Sequence, residues 1–459
     1  MAVNATPNSE QKSGSVVIAL VFITALFFIW AFVTNLIDPL VKSMKVIYTL
    51  SDLEAQLTQL AFFIAYGVMS IPAAGYLARR GYVNSITLGL IGVVVGCLIA
   101  WATSFSHSYL TVLIGLFVAA SGVALLQVAA NPLIASMGDQ KGAHFRLNLS
   151  QAFNSLGAYA GGLFGATYLL KGSLFEKSVV LTPALKADGL SFVTSVYFGL
   201  ALAIGVFILA IYFVRKIISS HAPVMATHVG SPLSAIHSKW ANLGALAIFL
   251  YVGAEVCVIS GMIFFLEQTQ ILNVPSQIAG YIAPTFMLLA MIGRFGGSAL
   301  LHVFKATTML GCAAGGATLL CLIVIVTHGM PPTPMGGTVV LPGAYVAPLT
   351  WGFVPGIAAI FLGLFNSIMF PTIFTLTMER SSAPASATSG LMCMAICGGG
   401  ILSAVYGATN DAFIQSGWIG PRSLAFVIPL ACYIYVLWFA LVARAAPTHA
   451  IEEGMSAGH

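Results

Sequence analysis

Charge is what this chain lacks. Asp, Glu, Lys and Arg make up 7% of its 459 residues, against roughly 25% in an average soluble protein. So few charges cannot cover the surface of a soluble protein of this length, and that class is excluded. Hydrophobic residues are 59% of the chain and mean hydropathy is +0.98, so the outside is expected to meet lipid. The formal charge of +5 comes without a basic cluster interleaved with aromatics, which sets nucleic acid aside. Soluble-enzyme motifs are also missing. There is no phosphate-cradling glycine loop with its lysine, no paired-histidine metal motif and no nucleophile elbow. The seven cysteines all fall in apolar segments. Cys393 and Cys397 have no His or second Cys pair beside them, so they read as small buried hydrophobes and not as a metal centre or disulfide. No enzyme and no cofactor is expected.

What is present is a series of long apolar runs. A bilayer core of about 30 Å takes about 20 helical residues. Segments of that size recur at 16–41, 55–78, 85–104, 109–137, 146–170 and 190–214, and again at 241–266, 277–301, 306–327, 352–378, 386–408 and 422–444. The expected organisation is therefore a tail over 1–15, a six-helix bundle over 16–214, a polar linker over 215–240, a second bundle over 241–444 and a tail over 445–459. The opening stretch "MAVNATPNSEQKSGS" is longer than the basic region of a secretory leader and no clean cleavage site follows, so the first span is expected to be retained. With the N-terminus inside, inner segments carry eleven Lys and Arg and outer segments six. That bias puts both termini in the cytoplasm.

The halves repeat. "NPLIASMGDQKGAHFR" and "FPTIFTLTMERSSAPA" each place a proline in the fourth span of a half, Pro132 and Pro371, 239 residues apart. "FGAT" at Phe164 recurs as "YGAT" at Tyr406, 242 apart, and Gly75 aligns with Gly297, 222 apart. The common offset, varied by loop insertions, indicates duplicated six-helix halves. Parallel repeats of this kind build the major facilitator fold. The expected class is thus an all-α membrane protein of that fold, with 12 transmembrane helices in two pseudo-symmetric halves.

Few ionisable groups fall well inside the spans, and each costs about 2.5–3.5 kcal/mol at a helix centre on insertion scales. They must face the bundle interior and find partners. Asp38, in "FVTNLIDPLVKSM", shares a helix face with Asn35 and Thr34 and precedes Pro39, which frees carbonyl oxygens. These oxygens suit a cation, although Lys42 and Lys45 nearby also fit a solvated helix end. Glu255, in "FLYVGAEVCVISG", is better centred and suits either a polar ligand or a partner across the bundle. Arg294 is placed nearer the inner face, where an ion pair with Glu379 at the end of the tenth span would be structural or gating. An amide cluster occupies the fourth and fifth spans: Gln127 and Asn131 four apart, then Asn148, Gln151 and Asn154 spaced by three. Amides both donate and accept, as a sugar's hydroxyls require; helix-to-helix hydrogen bonding is the plainer alternative. Asn366 and Phe370 are the second-half counterpart. Trp30, Tyr251, Trp351 and Phe370 offer apolar faces for a sugar ring, with Trp351 also suited to an interface anchor.

Taken together, "NLID", "AANP", "HFRLNLSQAFNSLGA", "YVGAE", "GRF" and "FPTIF" resemble the fucose permease family of the major facilitator superfamily, over all twelve spans. The resemblance implies cation-coupled uptake of a hexose by alternating access in a bacterial-type inner membrane. It matches Asp38 to the family's coupling aspartate, and Gln151 and Asn154 to its amides near the sugar. Three departures, Gln127 in place of glutamate, Glu255 in place of glutamine and Phe370 in place of tyrosine, look like the glucose/galactose branch. The expected sugar contacts are Gln127, Asn131, Gln151, Asn154, Glu255, Asn366 and Phe370, with Asp38, Asn35 and Thr34 for the cation. Na⁺ at Asp38 and Asn35 is favoured over H⁺, because a fourth-span acid that could relay a proton is replaced by Gln127. A lone Asp38 also suits a proton. The expected partners are a hexose and the lipid bilayer, for a chain acting as a monomer. The alternatives are an L-fucose or other sugar/proton symporter and, from a different class, a non-transporting sugar sensor on the same fold.

Overall fold

A chain in lipid must satisfy its backbone hydrogen bonds internally, and apolar helices do so span by span. The computed structural model describes residues 8–36, 43–44, 47–50, 52–165, 182–223, 231–327, 329–330 and 333–449. The first half holds α1 (Asn8–Thr34), α2 (Asp52–Arg80), α3 (Tyr82–Ser106), α4 (Tyr109–Ser136), α5 (Ala143–Phe164) and α6 (Pro183–His221). The second holds α7 (Lys239–Leu266), α8 (Ser276–Ile282), α9 (Thr285–Leu300), α10 (Ala306–Val326), α11 (Phe353–Asn366), α12 (Met369–Met378), α13 (Ala385–Met394), α14 (Gly398–Gln415), α15 (Pro421–Leu424) and α16 (Val427–Ala445). Between α10 and α11, β1 (Pro334–Leu341) and β2 (Tyr345–Thr350) pair antiparallel as a hairpin. All twelve expected spans are represented. The eighth, tenth and twelfth are each made of two helical pieces, and the eleventh of two joined by a 3₁₀ turn (Ala395–Cys397), because Pro284, Pro371, Pro429 and the Gly398–Gly400 run interrupt or crowd the ladder.

Eleven helical segments among the described residues are long and apolar enough to cross a membrane. The exception is α5, and the reason is its side chains: Asn148, Gln151 and Asn154 lower the hydropathy of the helix that carries them. α6 differs from expectation in the other direction. It runs 39 residues, about 58 Å at 1.5 Å per residue, so the first part of the expected 215–240 linker continues the helix to His221.

The chain packs as two units. The first comprises Met1–Ala241, Ser381–Met394 and His449–His459. In it, α3 and α4 approach through Gly89, Gly96, Gly115 and Gly122, where an added methyl would strike the opposite backbone; small residues allow such approach in lipid. Gly157 of α5 lies against the Phe28 carbonyl of α1. Arg146 donates to Ile134 O at 3.1 Å, Ala135 O at 2.6 Å and Asp139 O at 2.8 Å. It thereby caps the carbonyls left open at the end of α4. α13 packs on α2 and α4, with Gly390 close to Ala74 and the Ser70 carbonyl.

The second unit comprises Asn242–Arg380 and Ala395–Thr448. It repeats the motifs of the first. Gly398 lies against the Phe249 carbonyl as Gly157 does against Phe28. These pairs are offset by 241 and 221 residues, each one residue from an offset of the sequence repeats. Arg380 donates to Ala443 O at 3.1 Å and Leu376 O at 3.0 Å, a helix-end role like that of Arg146. Compared with the expected 241–444 bundle, the segment 381–394 groups with the first unit.

Candidate functional site

Each unit carries a polar centre, and in each a proline helps create it. Proline has no N–H, so the carbonyl four residues earlier in its helix loses its usual donor. Pro132 frees Val128 O in this way, and Pro371 frees Ser367 O. Both oxygens are taken by side chains. Ser389 Oγ donates to Val128 O at 2.8 Å. Arg294 Nε donates to Ser367 O at 2.9 Å.

In the second unit, this contact fixes Arg294 beside Glu255. The Glu255 carboxylate lies near the Arg294 guanidinium and the Tyr251 hydroxyl. Tyr251 Oη in turn donates to Asn366 O at 3.1 Å. Tyr433 lies beside the Asn366 side chain, within electrostatic reach of Tyr251 and Glu255. Glu255 is set deep in the unit yet keeps part of its surface accessible. The centre thus combines an acid, a guanidinium, two phenols and an amide inside an apolar bundle. Phe370 sits one turn beyond Asn366, 9% exposed, with its ring stacked on Phe374 at 6.1 Å.

In the first unit, Gln127 Nε2 donates to Tyr66 Oη at 2.6 Å. Asn131 lies one turn further along α4, beside the Cys393 thiol. α5 directs several polar groups at α1: Asn154 Nδ2 donates to Phe27 O at 3.2 Å and Ser150 meets Thr24 at 3.1 Å. Gln151 is 6% exposed. Trp30 is buried with its ring 4.2 Å from that of Phe27. Asn131 and Asn366 are both wholly buried, and neither side chain reaches hydrogen-bond geometry with its neighbour, Cys393 or Tyr433. A buried amide left so costs about 1–3 kcal/mol, which is tolerable where another state or a ligand supplies partners.

Several expected placements change. Arg294 and Glu379 go to different partners. Ser367, which Arg294 holds, lies twelve residues before Glu379, about 18 Å along the helix. The tenth span continues well past the level of Arg294, and Glu379 pairs instead with Arg380 Nη1 at 3.2 Å. Burial lowers the pKa of the Arg380 guanidinium and the Glu379 carboxylate raises it. Trp351 is half exposed between β2 and α11, where it fits the interface-anchor alternative. Asp38 and Pro39 lie outside the described residues. Of the groups around them, Thr34 Oγ1 and Asn35 Nδ2 both donate back to Ala31 O, at 3.2 and 2.9 Å. Among the described residues no cluster of three His, Cys, Asp or Glu could hold a metal.

Sequence reasoning missed Tyr66, Tyr433, Cys393 and Ser389. Tyr66 left a signal: a phenol near the middle of a span needs an internal partner. Tyr433, inside the last span, left the same one. Ser389 and Cys393 left none, since small polar residues are ordinary in membrane helices.

Comparison with known proteins adds an independent line. A family model described as Major Facilitator Superfamily matches residues 20–404. The glucose/galactose transporter of Brucella abortus biovar 1 (strain 9-941) is 35% identical over 440 residues, 95% of this chain and 96% of its own. The L-fucose-proton symporter of Escherichia coli (strain K12) is 30% identical over 453 residues, 95% of each chain. Among solved structures, a variant form of the E. coli fucose:proton symporter superimposes with a TM-score of 0.75 at 26% identity, covering 94% of this chain and 99% of that one.

Proposed function

Starting from the fact that the chain belongs to the Major Facilitator Superfamily, and is therefore a multi-pass membrane transporter and not an enzyme, we propose that it is a cation-coupled hexose symporter. Glucose and galactose are the proposed substrates, taken up by alternating access. The observation that carries this reading is the second unit's centre: Glu255, deep yet partly accessible, with Arg294, Tyr251 and Asn366 around it. A carboxylate fixed in that setting accepts from sugar hydroxyls in charge-assisted hydrogen bonds. Asn366 and Tyr433 add neutral donors and acceptors beside it, and Phe370 adds an apolar face. In the first unit, Gln127 and Asn131 are the proposed sugar contacts, with Gln151 and Asn154 on the neighbouring helix. The relatives named as glucose/galactose transporters support the choice of sugar over L-fucose.

For the coupling ion, Asp38 with Asn35 and Thr34 is the proposed site and Na⁺ the proposed ion. The neutral Gln127–Tyr66 pair supports this, because neither group is an acid that could pass a proton on near neutral pH. The test is counterflow of labelled glucose in proteoliposomes with galactose and L-fucose as competitors, followed by uptake with Na⁺ replaced by choline at fixed pH. The reading requires competition by galactose and dependence on Na⁺. Competition by L-fucose alone would move the substrate. Uptake that survives choline but collapses with a protonophore would make the ion a proton.

A further inference from the structure

The polar centres leave unused a cavity of the first unit that lies on its cytoplasmic side. It has a volume of about 460 Å³, within the ~300–1,000 Å³ range of small-ligand pockets. Arg80, at the end of α2, and Arg215 and Lys216, near the end of α6, line it together with Asn84 and Ser219. Among the described residues no acid lines the cavity, and none of the three cations makes an ion pair. Three like charges converging on one cavity repel each other unless an anion joins them.

The backbone adds to that demand. The chain turns from α2 into α3 at Gly81, whose φ of 78° is left-handed and suits glycine. This turn directs the start of the 25-residue α3 at the cavity, and no side chain caps it. The N–H groups of Val83 and Asn84 and the positive end of the dipole therefore face an anion there.

The level of the cavity identifies the source of the anion. Tyr212 and Phe213, one turn before Arg215 on α6, are 54% and 80% exposed. The Arg215 guanidinium lies 4.0 Å over the Tyr212 ring. Exposed aromatics next to cations at the inner end of a span mark the headgroup layer of the bilayer. A cavity opening there meets lipid phosphates, and basic pockets between helices on the cytoplasmic side recognise them. We propose that this cavity binds the phosphate-bearing headgroup of an anionic phospholipid from the inner leaflet, held by Arg80, Arg215, Lys216 and the start of α3. Binding there would bridge the α2–α3 turn to the end of α6, whichever sugar is carried.

The test uses the purified full chain in neutral detergent, titrated with phosphatidylglycerol or phosphatidylcholine and read by native mass spectrometry and thermal unfolding. Phosphatidylglycerol should bind and raise the unfolding temperature, and phosphatidylcholine should not. Each cation contributes about fivefold, so R80Q/R215Q/K216Q should weaken phosphatidylglycerol binding by about a hundredfold. K305Q/R444Q, which removes two cations elsewhere on the same side, should bind like the wild type. If the triple variant does not fold, R215Q alone should lose about fivefold. Equal losses in the two sets of variants would mean diffuse attraction and would overturn the site. Inorganic phosphate that stabilises the protein as well as the lipid does would make it a free-anion site and overturn the lipid.

Discussion

Arg294→Met tests the centre of the second unit most directly, because Arg294 has two roles there. It lies near the Glu255 carboxylate and donates to the Ser367 carbonyl that Pro371 has freed. Breaking a fully buried pair by removing one partner costs about 3–5 kcal/mol. Both side chains here are only part-buried, so the charge share falls to about 1–2 kcal/mol. The orphaned carbonyl adds about 1–2 kcal/mol more. A total loss of about 2–4 kcal/mol is expected in a reversible denaturant titration in micelles.

The two shares separate by design. Adding Glu255→Gln to Arg294→Met removes the uncompensated carboxylate, so the double variant should recover the charge share, a coupling of about 1–2 kcal/mol. Adding Pro371→Ala instead returns an N–H to the helix, which can reclaim Ser367 O, so Arg294→Met should cost less in that background. Arg294→Lys keeps the charge but loses the fixed fork, and should fall between wild type and Met. Strict additivity of Arg294→Met with both Glu255→Gln and Pro371→Ala would refute the arrangement, however large the single effect.

Further outcomes are expected at other positions. Glu255→Gln should weaken sugar binding by about 1.5–3 kcal/mol through loss of charge-assisted hydrogen bonds, read by equilibrium binding of labelled glucose; unchanged affinity would remove Glu255 from the sugar's contacts. Asp38→Asn should abolish accumulation against a gradient and leave exchange intact, and normal accumulation would end its coupling role. Single cysteines at Ser231 and Ser382 should react with impermeant reagents only from the cytoplasm, and one at Thr338 in the β-hairpin only from outside; labelling of Thr338 from within would invert the topology. Ser389→Ala should cost about 1 kcal/mol in the same titration by stranding Val128 O, with the cost falling when Pro132→Ala is added.

The spans, their number and the duplication were legible because lipid imposes a simple rule: about 20 apolar residues and a satisfied backbone. Their ends were less so. α6 extends to His221 because nothing in "RKIISSH" opposes helix once the bilayer has been left. Glu255, Asn366 and Gln127 were legible as polar groups in apolar runs. Their partners were not, since a partner across the bundle leaves no trace in local spacing. Arg294 illustrates the difficulty. Its distance from the helix end was readable, but the level at which the tenth span ends was not, and that level decides between Glu379 and Glu255. The grouping of 381–394 with the first unit was equally hidden, resting on Gly390 against Ala74, on the Ser389 hydroxyl at Val128 and on the Ser238 hydroxyl at Ser381 and Ser382.

The two prolines tie these observations together. Pro132 and Pro371 were visible in the sequence as a repeat, yet the physical consequence lies four residues before each of them. A freed carbonyl inside a bundle must find a donor, so the repeat preserves a demand and not a particular partner. In the first unit a neutral serine on α13 meets it, and the bond holds that segment against α4. In the second a guanidinium meets it, and the same bond fixes the charge that lies near Glu255. Duplication therefore accounts for the common backbone device, and divergence of the donor accounts for the different chemistry. One copy became a packing contact, while the other became the support of an accessible carboxylate. Exchanging the donors' roles is then asymmetric: Ser389→Ala should lower stability with sugar affinity kept, whereas Arg294→Met should lower both.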